Sequence, residues 1–315
     1  MSAVRDSHGA LTARAARASV ATAAFLLLIK AFAAWHTGSV AMLGSLADTG
    51  LDLLASLVTL YGVRIAAAPA DHDHRFGHGK AEALAALFQV ALITASAVGI
   101  GWRAIARLAE ARPTEDAELG ITVSLVAIVA TVVLLAYQRR VVARTGSLAV
   151  RADSMHYQGD LLLNLSVIAA LALDQYAGLT GADPLFGIAI ALWLAWGAFR
   201  ASSHAIDQLM DREWPEEKRA RFLALAAAHS ELRGIHDLRT RRSGVADFAQ
   251  FHMYVAPEMS VADAHVVMDE VEAMIAREFP EVEVFIHLDP EGQIDQPGNA
   301  LAETDLTPPG IGKEK

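Results

Sequence analysis

Six stretches, at about residues 19–35, 40–67, 81–108, 119–137, 147–173 and 184–209, each read as a helix able to span a membrane. A bilayer core needs about 20 residues of helix. The second stretch sharpens the constraint. "MLGSLADTGLDLLASLVTLYGV" has the composition of a membrane span, yet it holds Asp48 and Asp52. An Asp near the bilayer centre costs roughly 2.5–3.5 kcal/mol on insertion scales, so the fold must supply these carboxylates with partners. The rest of the composition agrees with a membrane protein that has a polar part: 54% of the 315 residues are hydrophobic, and the mean hydropathy is +0.33.

Composition also excludes several functions. The chain has no cysteine, which removes disulfides, thiolate metal sites and cysteine nucleophiles. A net charge of −10 argues against nucleic acid as a partner. The first residues, "MSAVRDSHGALTARAARASV", do not read as a signal peptide. Gly38-Ser39 reads as a helix stop followed by an N-cap, and Asp183-Pro184 as an N-cap followed by Pro at the first helical position.

Arg5, Arg14, Arg17, Arg75, Lys80, Arg139, Arg140, Arg144, Arg151, Arg212, Lys218, Arg219 and Arg221 all fall on one side of such a six-span path. By the positive-inside rule both termini face the cytoplasm. The loops "HTGS" and "DQYAGLTGAD" carry no Lys or Arg, whereas the third loop, with Arg103, Arg107 and Arg112, is an exception beside its own acidic residues.

From about Arg212 the chain turns polar. "PEEKRARFLALAAAH" reads as an amphipathic helix, "GIHDLRTRRS" and "DFAQFHMYVAP" as strands around a short "GVA" turn, "SVADAHVVMDEVEAMIAREF" as a helix capped by Ser260, and "EVEVFIHLDP" as a strand. The fold class expected is a polytopic α-helical membrane protein with six transmembrane helices and a small α+β (αββαβ) domain. Its parts are a flexible N-terminus (1–17), the transmembrane domain (18–210), the αββαβ domain (211–290) and a disordered, Pro/Gly-rich tail (291–315).

The polar residues inside the spans are paired. Asp48 and Asp52 are four apart, and so are His156 and Asp160 in the fifth stretch. Residues i and i+4 share a helical face. Two spans each offering two ligands can build a tetrahedral site of three carboxylates and one imidazole, which suits Zn²⁺ and other borderline divalent ions. Single caps would not explain two matched pairs. Because metal ligands must be deprotonated, such a site couples to protons, with His156 the group nearest to titrating at physiological pH.

In "DHDHRFGHGKAE", Asp71, His72, Asp73, His74 and His78 crowd one loop; spacing alone leaves a metal site and a solvated cation-attracting loop both open. In the last domain His236 and His252 fall on two strands of one hairpin, and His287 with Asp289 on the third. Converging strand histidines suit a metal, although a single histidine is more often a surface residue. His8, His36, His204 and His229 take that ordinary reading. Lys30, in the first span, either snorkels or faces an aqueous cavity.

With these residues placed, the chain resembles the cation diffusion facilitators, in the bacterial zinc and ferrous-iron efflux branch. The strings that carry the resemblance are "GSVAMLGSLADTGLDLLAS", "PADHDHRFGHGKAEALAAL", "DSMHYQGDLLLN", "QLMDR", "GIHDLRTRRSG" and "FIHLDP", between about Ala18 and Pro290. The resemblance implies a homodimer with six spans per chain, a metallochaperone-like cytoplasmic domain, and exchange of cytoplasmic divalent metal for external protons. It implies a transport site at Asp48, Asp52, His156 and Asp160, a loop site at Asp71, His74 and His78, and a cytoplasmic site at His236, His252, His287 and Asp289 with a further histidine at His265. Where the family often has a glutamine after the last-strand histidine, this chain has Leu288, which leaves one cytoplasmic ion with a weaker shell. It also implies a salt bridge across the dimer between Lys80 and Asp211.

The expectation is therefore a proton-coupled exporter of Zn²⁺ in a bacterial inner membrane, with metal ions, protons and lipid as partners and no prosthetic group. Fe²⁺, Cd²⁺ or Co²⁺ as the cargo, and a non-transporting membrane metal sensor, are the alternatives. An enzyme is not expected, since no HExxH is present and no base stands beside the metal set.

Overall fold

A computed structural model of the protein describes residues 2–37, 40–110, 118–177, 182–232 and 234–292. Two compact units divide the chain, one spanning Ser7–Asp207 and the other made of Met1–Asp6 together with the chain from Gln208. Gly38-Ser39 and the tail from residue 293, both assigned a role from sequence, lie outside the described residues.

The first unit contains six long helices: α1 (Ser2–Thr37), α2 (Val40–Ala66), α3 (Ala81–Glu110), α4 (Glu118–Thr145), α5 (Leu148–Ala177) and α6 (Ala182–Leu209). Among the described residues, five of them are long and apolar enough to cross a membrane. The other, α5, is 30 residues long but interrupts its apolar sequence with Arg151, Asp153, His156 and Asp160. Of these polar groups His156 and Asp160 build the site described below. Leu28, Phe32, Trp35, Trp102 and Phe199 stay exposed on the bundle surface, as lipid-facing side chains must.

Two local expectations are corrected. Residues 2–17 are not a flexible segment but the first turns of α1. Their alanines favour helix and are small enough for close packing. Ala15 and Ala16 are fully buried, and Ala15 packs with Val141 of α4 and Val150 of α5. Asp183 lies inside the first turn of α6 rather than capping it, and its carboxylate accepts from Arg107 Nη1 at 2.7 Å. An acid at that position also complements the helix dipole.

Close helix contact is local and steric. A side chain at Gly62 of α2 would place its Cβ 2.4 Å from the Ala85 Cβ of α3. Glycine is therefore required for the α2–α3 approach. Elsewhere Val90, Ile93 and Ala97 of α3 form a core with Ile190, Leu194 and Ala198 of α6.

The second unit contains α7 (Glu216–Ala226), β1 (Gly234–Ser243), β2 (Ala246–Val255), α8 (Val261–Glu278) and β3 (Val282–Pro290). The sheet order is β1-β2-β3, with β1 antiparallel and β3 parallel to β2. Gly244, at φ 62°, makes the two-residue turn between β1 and β2 possible. The Ser260 hydroxyl caps α8 by accepting from the Asp263 N–H. One face of the sheet is closed by the helices: Ile235, Leu238, Phe251 and Met253 pack with Phe222, Val271, Ile275 and Phe279. The alternation of strand side chains then sends His252 and Tyr254 to the opposite face.

Candidate metal sites

The i,i+4 spacing on α5 places His156 and Asp160 on one face, and α2 presents Asp52 to it. His156 Nε2 lies 2.8 Å from Asp52 Oδ1 and 3.8 Å from Asp160 Oδ2. The ligand atoms of Asp52, His156 and Asp160 all lie within 4.8 Å of one another, close enough to share one ion. Asp48, a turn earlier on α2, lies outside that group but lines the same cavity of about 410 Å³. So does Lys30, whose Nζ donates to Thr49 Oγ1 at 2.7 Å.

One turn before His156 lies a polar knot that sequence reasoning missed. Asp153 is fully buried. Its carboxylate accepts from Ser19 Oγ of α1 at 2.6 Å, Gln138 Nε2 of α4 at 2.7 Å and Gln89 Nε2 of α3 at 3.1 Å. The Gln89 amide also donates to the Ala55 carbonyl and to Thr59 on α2. Tyr157 shares a 2.9 Å hydrogen bond with Ser56, one turn past Asp52. Five helices are thus tied together beside the site, and the bond between Ser56 and Tyr157 sets the register that brings Asp52 to His156. Gln89 and Gln138, lone amides within long apolar helices, were the available sequence signal.

The loop before α3 folds around Asp71. Its Oδ1 accepts from the backbone N–H of Asp73 at 3.0 Å and of His74 at 2.7 Å. These bonds, the His74 N–H foremost, hold the Asp71 carboxyl below its ordinary value, and the neighbouring His78 and His74 charges act the same way. His78 Nε2 is 3.2 Å from Asp71 Oδ2, and His78 Nδ1 lies 3.1 Å from the Pro69 carbonyl. An Nδ1–H donated to that carbonyl leaves Nε2 free as a ligand. Asp71, His74 and His78 form a second close group. His72 and Asp73 are exposed beside it.

In the sheet, His236 pairs with His252 and His252 with His287, so three imidazoles stand in one row across β1, β2 and β3. Asp289, two residues beyond His287 on the same face, is their common partner. Its carboxylate lies 3.3 Å from His236, 2.9 Å from His252 and 3.3 Å from His287. His236, His252 and Asp289 form the third close group; His287, at 60% side-chain exposure, stands at its edge. His265 is not brought to this row: it sits on α8 and meets Asp269. Asp237, not anticipated from sequence, occupies the β1 bulge at φ 48° and puts a carboxylate 4.0 Å from His252 Nε2. Lys80 lies just before α3, and Asp211, at φ 55°, has its carboxylate 3.9 Å from Arg241.

A bundle of membrane-length helices, with acid and imidazole groups from two of them gathered in an internal cavity, is the design of a cation carrier. The chain belongs to the cation efflux family: residues 16–210 match the cation efflux transmembrane domain and residues 214–291 the cytoplasmic domain of cation efflux proteins. It is 43% identical over 291 residues to the cation-efflux pump FieF of Klebsiella pneumoniae, covering 92% of this chain and 97% of that one. It is 42% identical over 295 residues to FieF of Escherichia coli O127:H6, covering 94% and 98%. A solved structure of the candidate zinc transporter CzrB in its zinc form is 34% identical over 27% of this chain and 99% of that chain; its TM-score of 0.26 is too low to argue from. The chain is a cation efflux transporter, not an enzyme.

Proposed function

We propose that the protein exports a divalent metal ion, Zn²⁺ by preference, from the cytoplasm in exchange for protons. The observation that carries this reading is the meeting of Asp52, His156 and Asp160, from two spanning helices, in the cavity that Asp48 also lines. Carboxylates with one imidazole are a donor set for Zn²⁺, and Fe²⁺, Cd²⁺ and Co²⁺ are accepted by the same chemistry. With the cavity opened to the cytoplasm the four groups bind metal; opened to the other side they take protons, His156 foremost, and release it. Protons and metal compete for the same lone pairs, and that competition is the coupling. Only a difference in affinity between the two states drives the exchange.

The loop group at Asp71, His74 and His78 captures metal near the cytoplasmic mouth. The sheet group at His236, His252 and Asp289, with His287 at its edge, binds metal as a regulatory ligand. The active form is a homodimer in a bacterial inner membrane with both termini cytoplasmic, an orientation supported by the arginines of the N-terminus and even-numbered loops. Lys80 and Asp211 pair across that dimer. Proteoliposomes with an imposed pH gradient test the coupling: Zn²⁺ flux should rise when protons are more concentrated on the side of release, and flux indifferent to the gradient would overturn it.

A further inference from the structure

Lys30 has no part in the cycle described above. It lies within the apolar run "FLLLIKAFAAW" of α1, where a charge persists only with compensation. It is half-buried and does not reach out of the bundle; it lines the cavity that holds Asp48, Asp52, His156 and Asp160. Its one hydrogen bond among the described residues is to Thr49 Oγ1 at 2.7 Å, and Thr49 directly follows Asp48. Thr49 in turn donates to the Ser45 carbonyl at 3.1 Å, which fixes its hydroxyl as an acceptor for the ammonium. Among the described residues no carboxylate comes within ion-pair distance of Nζ, yet the ammonium is near enough to interact with Asp160 through space. Arg103 of α3 is the other cation lining this cavity.

Three carboxylates gathered in one cavity repel one another when no metal is bound, and Asp52 and Asp160 are partly withdrawn from solvent. We infer that Lys30 is a tethered counter-cation of the transport site, which offsets the carboxylates when no metal is bound and repels the metal when it is. It is held by a hydroxyl and not by a carboxylate, so the oxygens of Asp48, Asp52 and Asp160 stay free to act as ligands. The consequence is lower affinity and faster release, which a carrier needs in order to turn over. This rests on the transport site proposed above.

The competing role, a neutral staple between α1 and α2 through Thr49, predicts the opposite sign. The full-length protein in proteoliposomes, with Zn²⁺ as the probe, separates the two through the half-saturation concentration and the maximal rate. Lys30→Gln retains an N–H donor and removes the charge; its half-saturation should fall roughly tenfold and its maximal rate should fall with it. Lys30→Met, of similar length and at home in a membrane helix, carries the same expectation as a second variant. Lys30→Arg restores the charge and should return the half-saturation toward the wild-type value. Thr49→Val, which removes the hydrogen bond and leaves the charge, should not lower it. An unchanged or raised half-saturation in Lys30→Gln and Lys30→Met overturns the inference, as does a fall of equal size in Thr49→Val. Asp52→Asn serves as the control: wild-type half-saturation in that variant overturns the transport site itself, whereas its loss beside an unchanged Lys30→Gln overturns only the role of the lysine.

Discussion

Asp52, His156 and Asp160 meet because two helices carry polar residues at matching intervals, whereas His236, His252 and Asp289 meet because three strands lie in register. The first group stands among spanning helices and depends on a network of buried hydrogen bonds for its alignment. The second rests on a sheet whose other face is a packed apolar core, and its edge residue His287 remains open. Helices joined at a few polar bonds can shift past one another, while a strand ladder shifts only by whole residues, and a slip of one residue turns every side chain to the other face. The helical group is thus suited to passage, and the sheet group to holding an ion in place.

The largest effect that separates the two regions is on transport. Asp52→Asn removes a charged ligand from the helical group, and Zn²⁺ flux into proteoliposomes should fall by a factor on the order of 100 or more, corresponding to a broken buried pair of about 3 kcal/mol. Near-normal flux in that variant would move the pathway elsewhere. The knot beside the site should show next, in stability. Asp153→Ala strands the donors of Ser19, Gln89 and Gln138 and should destabilise the transmembrane unit by about 3 kcal/mol, read as a lowered thermal midpoint in detergent micelles.

On the sheet, Asp289→Ala should weaken Zn²⁺ binding by the αββαβ domain at least about tenfold, since even outer partners of a metal site are worth that much. Flux should persist, because the helical ligands are intact. Calorimetry and vesicle flux on the same preparation would break the comparison if both failed together.

The smallest effect belongs to the loop. The Asp71 carboxyl is held below its ordinary value, so its contribution to loop order is fully present above the unfolded aspartate range. It is lost as pH falls through the still lower folded value. Amide protection at His74 should therefore persist through mild acid and be lost only below the ordinary aspartate range; loss already in mild acid would overturn the role of the Asp71 carboxylate.

What could be read from the sequence differs between the same two regions. The face shared by His156 and Asp160 was legible because i,i+4 spacing is a local property that needs no knowledge of the fold. The knot was not, because Asp153 depends on Ser19, Gln89 and Gln138, three residues on three other helices, and nothing local relates them. The start of α1 was missed for a similar reason. The alanine at position 15 looks indifferent until α4 and α5 cover it. In the sheet, period-two spacing put His287 and Asp289 on one face and the "GVA" turn put His236 and His252 on one hairpin, but the row also needs the bulge at Asp237, which emerges only from strand pairing. His265 shows the converse: a histidine in the right domain, on an element that does not reach the row.

The central claim is that the cation passes through the helical group and only rests on the sheet. His156→Ala with the sheet ligands intact tests it most directly, by measuring Zn²⁺ bound per chain and Zn²⁺ taken up by vesicles on one preparation. The prediction is that binding persists at the sheet while uptake falls to the level of protein-free vesicles. Uptake by His156→Ala at the wild-type rate would contradict it.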